Sequence, residues 1–290
     1  MTSLKGLTHG MDGVMPSGRS TVIMGILNIT PDSFSDGGDY VEPSKAVTRA
    51  VQMLSEGADW IDVGGESSRP GASPVTASEE AGRIMPVIKT LIKEGVTISV
   101  DTTKSYVAGL ALEEGASIIN DISAFSMDPE MAALCARFKA FCVLMHKRGT
   151  PATMQSDTEY ANLSDEVYSY LESRIKYAVE RGVERERIMI DPGIGFGKSA
   201  RGNLELIRSI PYFKKLGCPL LLGVSRKSFI GAVTGEADGE RLSGSLAAAT
   251  AAVLKGADVL RVHDVRETKK AVLMAEAISG GASPLPLYPS

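Results

Sequence analysis

A set of polar residues stands where short apolar runs stop: Asn28, Asp62, Asp101, Asn120, His146, Asp191, Lys227, Arg261 and His263. Two carboxylates and an amide (Asp101, Asn120, Asp191) are acceptors suited to a flat heterocycle that carries N–H donors. Lys227 can donate to a ring carbonyl or a ring nitrogen. Arg261 offers a fork for phosphate and a plane to stack on a ring. Asn28 presents a hard oxygen that could meet a phosphate-bound Mg²⁺. Taken together, these groups suit a heterocycle deep in a pocket with a phosphate at its rim, provided one fold brings all of them to one place.

The intervening sequence supplies such a fold. The run Thr21–Leu27 is dense in β-formers and gives way at Asn28 to a loop rich in Thr, Pro, Asp, Ser and Gly. Pro43–Glu56 carries Ala46, Val47, Ala50, Val51 and Leu54 on one helical stripe. Strands are then expected at Ala58–Gly65, Val96–Val100, Ser117–Ile119, Ala140–Met145, Arg187–Ile190, Pro219–Gly223 and Asp258–Leu260. Helices are expected at Ser78–Lys93, Thr103–Glu114, Pro129–Phe138, Leu163–Arg181, Asn203–Ile210 and Ser243–Lys255, with a last one after His263 that runs to about Ile278. Glycines at 57, 95, 115, 182, 217 and 256 stand just before strands, as helix C-caps do. Eight strand–helix units in strict alternation predict an α/β chain folded as a single (β/α)8 TIM barrel. In that fold every strand opens its carboxyl end onto one mouth, so the polar set would meet there. The barrel is expected over 21–278, with a loose N-terminal leader at 1–20 and a flexible tail at 279–290.

Composition narrows the function classes. The 290-residue chain has a formal net charge of −4 and no dense Lys/Arg tract, which argues against nucleic acid or an anionic membrane as partner. The apolar stretch around Leu246–Leu254 is too short to span a bilayer, and residues 1–20 lack the apolar core of a secretory signal. Cys135, Cys142 and Cys218 share no metal-ligand spacing and read as small buried apolar residues in a reducing cytoplasm.

Blander readings stand beside these. Asp62 serves as well for a cap or ion pair inside the mouth as for substrate contact. His146 fits a structural hydrogen-bonder better than a catalyst, and Trp60 fits packing. Gly195–Ser199 looks like the end of a P-loop, but Pro192 occupies the position of the first glycine. Lys198 likewise replaces the third glycine of the dinucleotide fingerprint.

The segments GILNITPDSFSDGG (25–38), DVGGESSRPGA (62–72), SVDT (99–102), IND (119–121), DPGIGFGK (191–198), GVSRKSFIG (223–231) and RVHD (261–264) together resemble the dihydropteroate synthase family, in its order and over nearly the whole chain. The resemblance implies a cytoplasmic, homodimeric transferase of folate synthesis. Such an enzyme joins 6-hydroxymethyl-7,8-dihydropterin diphosphate to 4-aminobenzoate, releases pyrophosphate and is inhibited by sulfonamides. By the same resemblance Asp101, Asn120 and Asp191 hold the pterin edge and Lys227 its ring oxygen or nitrogen. Met145 and Phe196 wall the ring, with Gly223 and Val262 also lining the pterin diphosphate. Ser68 takes a position that is commonly Thr. Asn28 would bind Mg²⁺ on the diphosphate, while Arg261 and His263 reach the same phosphates. Phe34, Arg69 and Pro70 would close over 4-aminobenzoate with Lys227 and Ser228. Asp101, Lys227, Arg261 and His263 are the residues expected to carry the chemistry.

A pterin-binding methyltransferase would share the barrel and the pterin pocket. Ser225–Ser228, the loop Ser67–Gly71 and Arg261–His263 favour a diphosphate substrate instead. No nucleophile–His–acid triad is evident, so the expected route is dissociative: diphosphate leaves, and a neutral arylamine captures the remaining cation.

Overall fold

The computed structural model describes residues 21–30, 43–67, 72–149, 154, 157–237 and 239–280. The expected leader, nearly all of the expected tail, and Phe34, Ser68, Arg69 and Pro70 lie outside them. Eight strands, β1 (Val22–Asn28), β2 (Trp60–Gly64), β3 (Ile98–Asp101), β4 (Ile118–Asp121), β5 (Phe141–Met145), β6 (Ile188–Asp191), β7 (Leu221–Leu222) and β8 (Val259–Val262), form one parallel sheet. Its order is β6-β5-β4-β3-β2-β1-β8-β7. A single bridge between Ile190 and Leu220 joins the two ends and closes the barrel.

The helices are α1 (Pro43–Ser55), α2 (Ala77–Lys93), α3 (Ser105–Glu114), α4 (Glu130–Phe138), α5 (Leu163–Glu180), α6 (Ala200–Arg208), α7 (Ile210–Phe213), α8 (Ser228–Thr234), α9 (Leu242–Leu254) and α10 (Val265–Ile278). Three differ from expectation, one of them the four-residue α7, which follows where the expected helix ends. The helix read as Asn203–Ile210 starts earlier, because Ser199 caps it by accepting the Gly202 N–H at 3.1 Å. The short α8 was not expected at all. The glycines at 57, 95, 115, 182, 217 and 256 all have positive φ, from 72° to 112°, which turns each chain segment back toward the next strand.

Side chains alternate along each strand. One row (Ile23, Ile61, Val63, Ile98, Val100, Ile119, Leu144, Ile190, Leu222, Leu260, Val262) packs outward against the helices in the main core. The other row fills the barrel with an apolar plug of Val22, Met24, Trp60, Ile118, Val143, Met189, Leu221 and Val259. Trp60 is thus packing, as expected. At the bottom, Asp59 Oδ2 accepts the Ile23 N–H at 2.7 Å and Asp258 Oδ2 accepts the Leu220 N–H at 2.6 Å. These carboxylates satisfy backbone donors where the ladder begins.

Candidate active site

Two residues beyond the plug, the inward row changes character. Parity places Asn28, Asp62, Ser99, Asp101, Asn120, Met145, Asp191, Gly223, Arg261 and His263 toward the mouth. Five of them form one hydrogen-bonded set. Arg261 Nε donates to Asp62 Oδ2 at 2.5 Å, and Arg261 Nη2 donates to Asp101 Oδ2 at 2.7 Å. Asn120 Nδ2 donates to Asp62 Oδ2 at 3.1 Å, and Ser99 Oγ donates to Asp62 Oδ1 at 2.6 Å. Asp62 is fully buried, and the structure makes it an internal partner rather than a free acceptor.

Asp191 stands across this set on β6. The backbone N–H of Gly193 donates to its Oδ1 at 2.7 Å. Lys227 lies beyond β7, at the start of α8, with its Nζ 4.3 Å from the centre of the Phe196 ring. Phe196 packs with Met145 and Met154, and Ile122 leans on the same cluster. Met145 and Phe196 therefore do share one apolar wall; Met154 and Ile122 carried no signal in the sequence. Gly223 leaves the mouth open beside Arg261, whose Cβ is 4.0 Å from where a Gly223 side chain would begin. Ser228 is exposed on the first turn of α8.

Burial acts on every charge here. It pushes the Asp101 carboxyl up to about 7 against the pull of Arg261, with Asp62 adding to the rise. It raises Asp191 too, while the Gly193 N–H and the Lys227 and Lys198 ammonium groups pull the other way. Lys227 is brought down to about 8 by burial and by Arg261, with Asp191 and Asp101 opposing. Arg261 stays firmly charged, because Asp62 and Asp101 outweigh its burial.

His263 is brought down to about 4 by burial and then by Arg261. Its Nδ1 lies 3.1 Å from Ser225 Oγ. It is therefore a neutral imidazole near pH 7, a hydrogen-bonder for an anion rather than a cation.

Two expected positions fall on the other row. His146 follows Met145 and points away from the mouth, its ring edge-on to Tyr170 at 4.9 Å between centroids. Burial, Lys198 and Arg148 lower it to about 2. The hydrogen bond expected of its ring is made instead by its backbone carbonyl, which accepts from Lys198 Nζ at 2.9 Å, and its buried Nδ1 has no partner among the described residues. Val262 is buried in the outer core, so only its backbone is available to a ligand.

Lys198, which mimicked a P-loop lysine, is a strut: its Nζ also donates to Gly193 O at 2.8 Å. A side chain on Gly193 (φ 75°) would lie 1.9 Å from His146 O, so this loop needs glycine there.

For a metal, the described residues offer no cluster of three or more His, Cys, Asp or Glu. They do offer the half-buried Asn28 amide at the end of β1, which takes no hydrogen bond among the described residues. One neutral oxygen suits Mg²⁺ that takes its other ligands from phosphate and water, not a caged ion.

Comparison with known proteins agrees with this geometry. Residues 24–263 match the family described as pterin binding enzyme, and the chain belongs to that family. The dihydropteroate synthase of Synechocystis sp. is 45% identical over 90% of this chain and 91% of its own length. Within the family the chain stands with the dihydropteroate synthases, which are transferases.

The Clostridium difficile dihydropteroate synthase, crystallised in the presence of pteroic acid, has a TM-score of 0.85 and 42% identity, covering 90% of this chain and 97% of that one. The Yersinia pestis enzyme, solved with a sulfonamide drug, has a TM-score of 0.85 and 38% identity, covering 90% and 95%.

Proposed function

We propose that the mouth condenses 6-hydroxymethyl-7,8-dihydropterin diphosphate with 4-aminobenzoate, giving 7,8-dihydropteroate and pyrophosphate. The observation that carries this reading is the pairing of unfilled acceptors with an apolar wall. Asp101, Asn120 and Asp191 face the N–H edge of a pterin, and Met145 and Phe196 lie along its face. Lys227, beside Phe196, donates to the ring oxygen or nitrogen. Arg261 and the neutral His263 receive the diphosphate at the rim, one by charge and one by hydrogen bond.

Asn28 is the residue proposed to hold Mg²⁺, which when bound would neutralise part of the diphosphate charge. The bond from the pterin methylene to the diphosphate oxygen breaks, and its electron pair leaves with pyrophosphate. The cation left on the methylene is stabilised by electron release from the ring and by the Asp101 carboxylate. The amine nitrogen of 4-aminobenzoate then bonds to that carbon and loses a proton to solvent, so no strong base is needed. Phe34, Ser68, Arg69, Pro70 and Ser228 are the proposed surroundings of 4-aminobenzoate and of the sulfonamides that compete with it. A homodimer in the cytoplasm completes the reading; among the described residues no helix is long and apolar enough to cross a membrane.

The test is pyrophosphate release from the purified protein with both substrates and Mg²⁺, alongside Lys227→Ala. Release that requires the amine and Mg²⁺ and collapses in the variant supports the reading. Pterin binding without release would assign the chain to a non-catalytic role. Single-turnover kinetics in which pyrophosphate waits for amine attack would overturn the dissociative step.

A further inference from the structure

Asp62 is fully buried and already carries three donors: Ser99 Oγ on Oδ1, and Asn120 Nδ2 with Arg261 Nε on Oδ2. It has little left to give a ligand. What it does have is an effect on Asn120. An asparagine side chain presents an amide nitrogen on one side and a carbonyl oxygen on the other, nearly equal in shape and opposite in hydrogen-bonding sense. A carboxylate oxygen only accepts, so the side of Asn120 that faces Asp62 must be Nδ2. The opposite atom, Oδ1, takes no hydrogen bond among the described residues and is not sealed from solvent.

We infer that Asp62 is a positioning residue that fixes the amide of Asn120 with its oxygen toward the mouth, so that position 120 reads an N–H donor on the heterocycle. This rests on the pterin reading given above. Without Asp62 the amide could turn over and offer N–H to N–H, a mismatch rather than a mere loss. Ser99 has a supporting part, because its hydroxyl occupies Oδ1 and leaves Oδ2 for Asn120 and Arg261. The competing explanation is that Asp62 is there for charge, as the counter-ion of Arg261. The two explanations differ in what an uncharged acceptor at position 62 would do.

The experiment compares Asp62→Ala and Asp62→Asn by steady-state kinetics with each substrate varied in turn. Asp62→Ala removes the acceptor. It should raise KM for the pterin diphosphate about tenfold or more, as expected for a buried polar group left mismatched. KM for 4-aminobenzoate should stay within about twofold.

Asp62→Asn keeps a carbonyl oxygen where Oδ2 stands, with Ser99 turned to accept from the new amide nitrogen. It should restore KM for the pterin diphosphate to within about threefold of wild type. If Asp62→Asn is as poor as Asp62→Ala, charge is what matters and the inference is overturned. Equal rises in both KM values would also overturn it, as would an Asp62→Ala KM that does not change.

Should Asp62→Ala not fold, Asp62→Ser carries the same expectation. Its hydroxyl can pair with Ser99 but is too short to reach Asn120. Failure of the underlying pterin reading shows separately, as a wild-type protein that turns over neither substrate.

Discussion

The ionisation of Asp101 and Lys227 sets a narrow pH window for pterin binding. A carboxylate at 101 is needed to accept from the heterocycle and an ammonium at 227 to donate to it. Burial holds the first up at about 7 and brings the second down to about 8. At pH 6 only about a tenth of Asp101 is ionised, and at pH 9 only about a tenth of Lys227 is protonated. The doubly competent form peaks near about pH 7.5 and is about sixfold scarcer at pH 6 and at pH 9.

With ordinary values for both groups the window would instead be flat from roughly pH 5 to pH 9. The assay is calorimetric titration with a dihydropterin lacking phosphates, so that phosphate ionisation does not enter, corrected for the ligand's own titration in buffer. Lys227→Gln should bind more weakly at every pH and lose the alkaline limb while keeping the acid one. A flat wild-type profile between pH 6 and pH 9 would refute the reasoning. So would an alkaline limb that persists in Lys227→Gln.

Asp101→Asn should stabilise the ligand-free protein at pH 8. A carboxyl raised from 3.8 to about 7 loses stability as pH climbs through that interval, by about 4 kcal/mol at most, and the amide escapes it. Thermal melts at pH 4 and pH 8 would show the gain at pH 8 alone, and an equal shift at both would count against it. Lys198→Met should destabilise by about 2 kcal/mol, lowering Tm by about 4–8 °C, because the His146 carbonyl loses its buried donor. A Tm within a degree of wild type would remove the strut assignment. Asn28→Ala should raise the Mg²⁺ concentration needed for half-maximal turnover about tenfold while leaving binding of a phosphate-free pterin unchanged. Weaker binding of that pterin would place Asn28 in the ring pocket instead.

Much of this site was legible because a barrel strand has a period of two and all strands finish on the same side. Once Met24, Trp60, Val143 and Val259 are the plug, Asn28, Asp62, Met145, Arg261 and His263 follow by even steps. The same rule takes His146, which is odd with respect to Met145, out of the mouth and into the structural role preferred for it, and limits Val262 to its backbone. Chain order alone does not reveal Ser99 or Ser225, since a serine has no distinctive pattern; only proximity to Asp62 and to His263 Nδ1 marks them. The helix α8 was missed for a local reason. It has seven residues, too few for a clear apolar period, with Gly231 inside. That glycine is required by packing, because a side chain there would lie 2.5 Å from Glu236 O.

What sequence could not separate was one aspartate from another, and here the count of donors decides. Asp121 accepts the backbone N–H groups of Ser123 and Phe125, one on each oxygen, and holds the left-handed turn at Ala124 and Phe125. Asp62 is filled by Ser99, Asn120 and Arg261. Asp101 and Asp191 differ from both: each takes one donor on one oxygen, from Arg261 and from Gly193, and leaves the other oxygen without a partner among the described residues. Burial raises both of these carboxyls, as it does Asp121, so the spare oxygen and not the shift is what sets them apart. A ligand with an N–H edge supplies donors to these two oxygens in place of solvent, which reaches both of them in the ligand-free protein. An apolar or acceptor-edged ring of the same shape would leave both oxygens unmatched. The spare oxygens of Asp101 and Asp191 thus set which heterocycle is held, whereas the filled oxygens of Asp62 and Asp121 set the shape of the place that holds it.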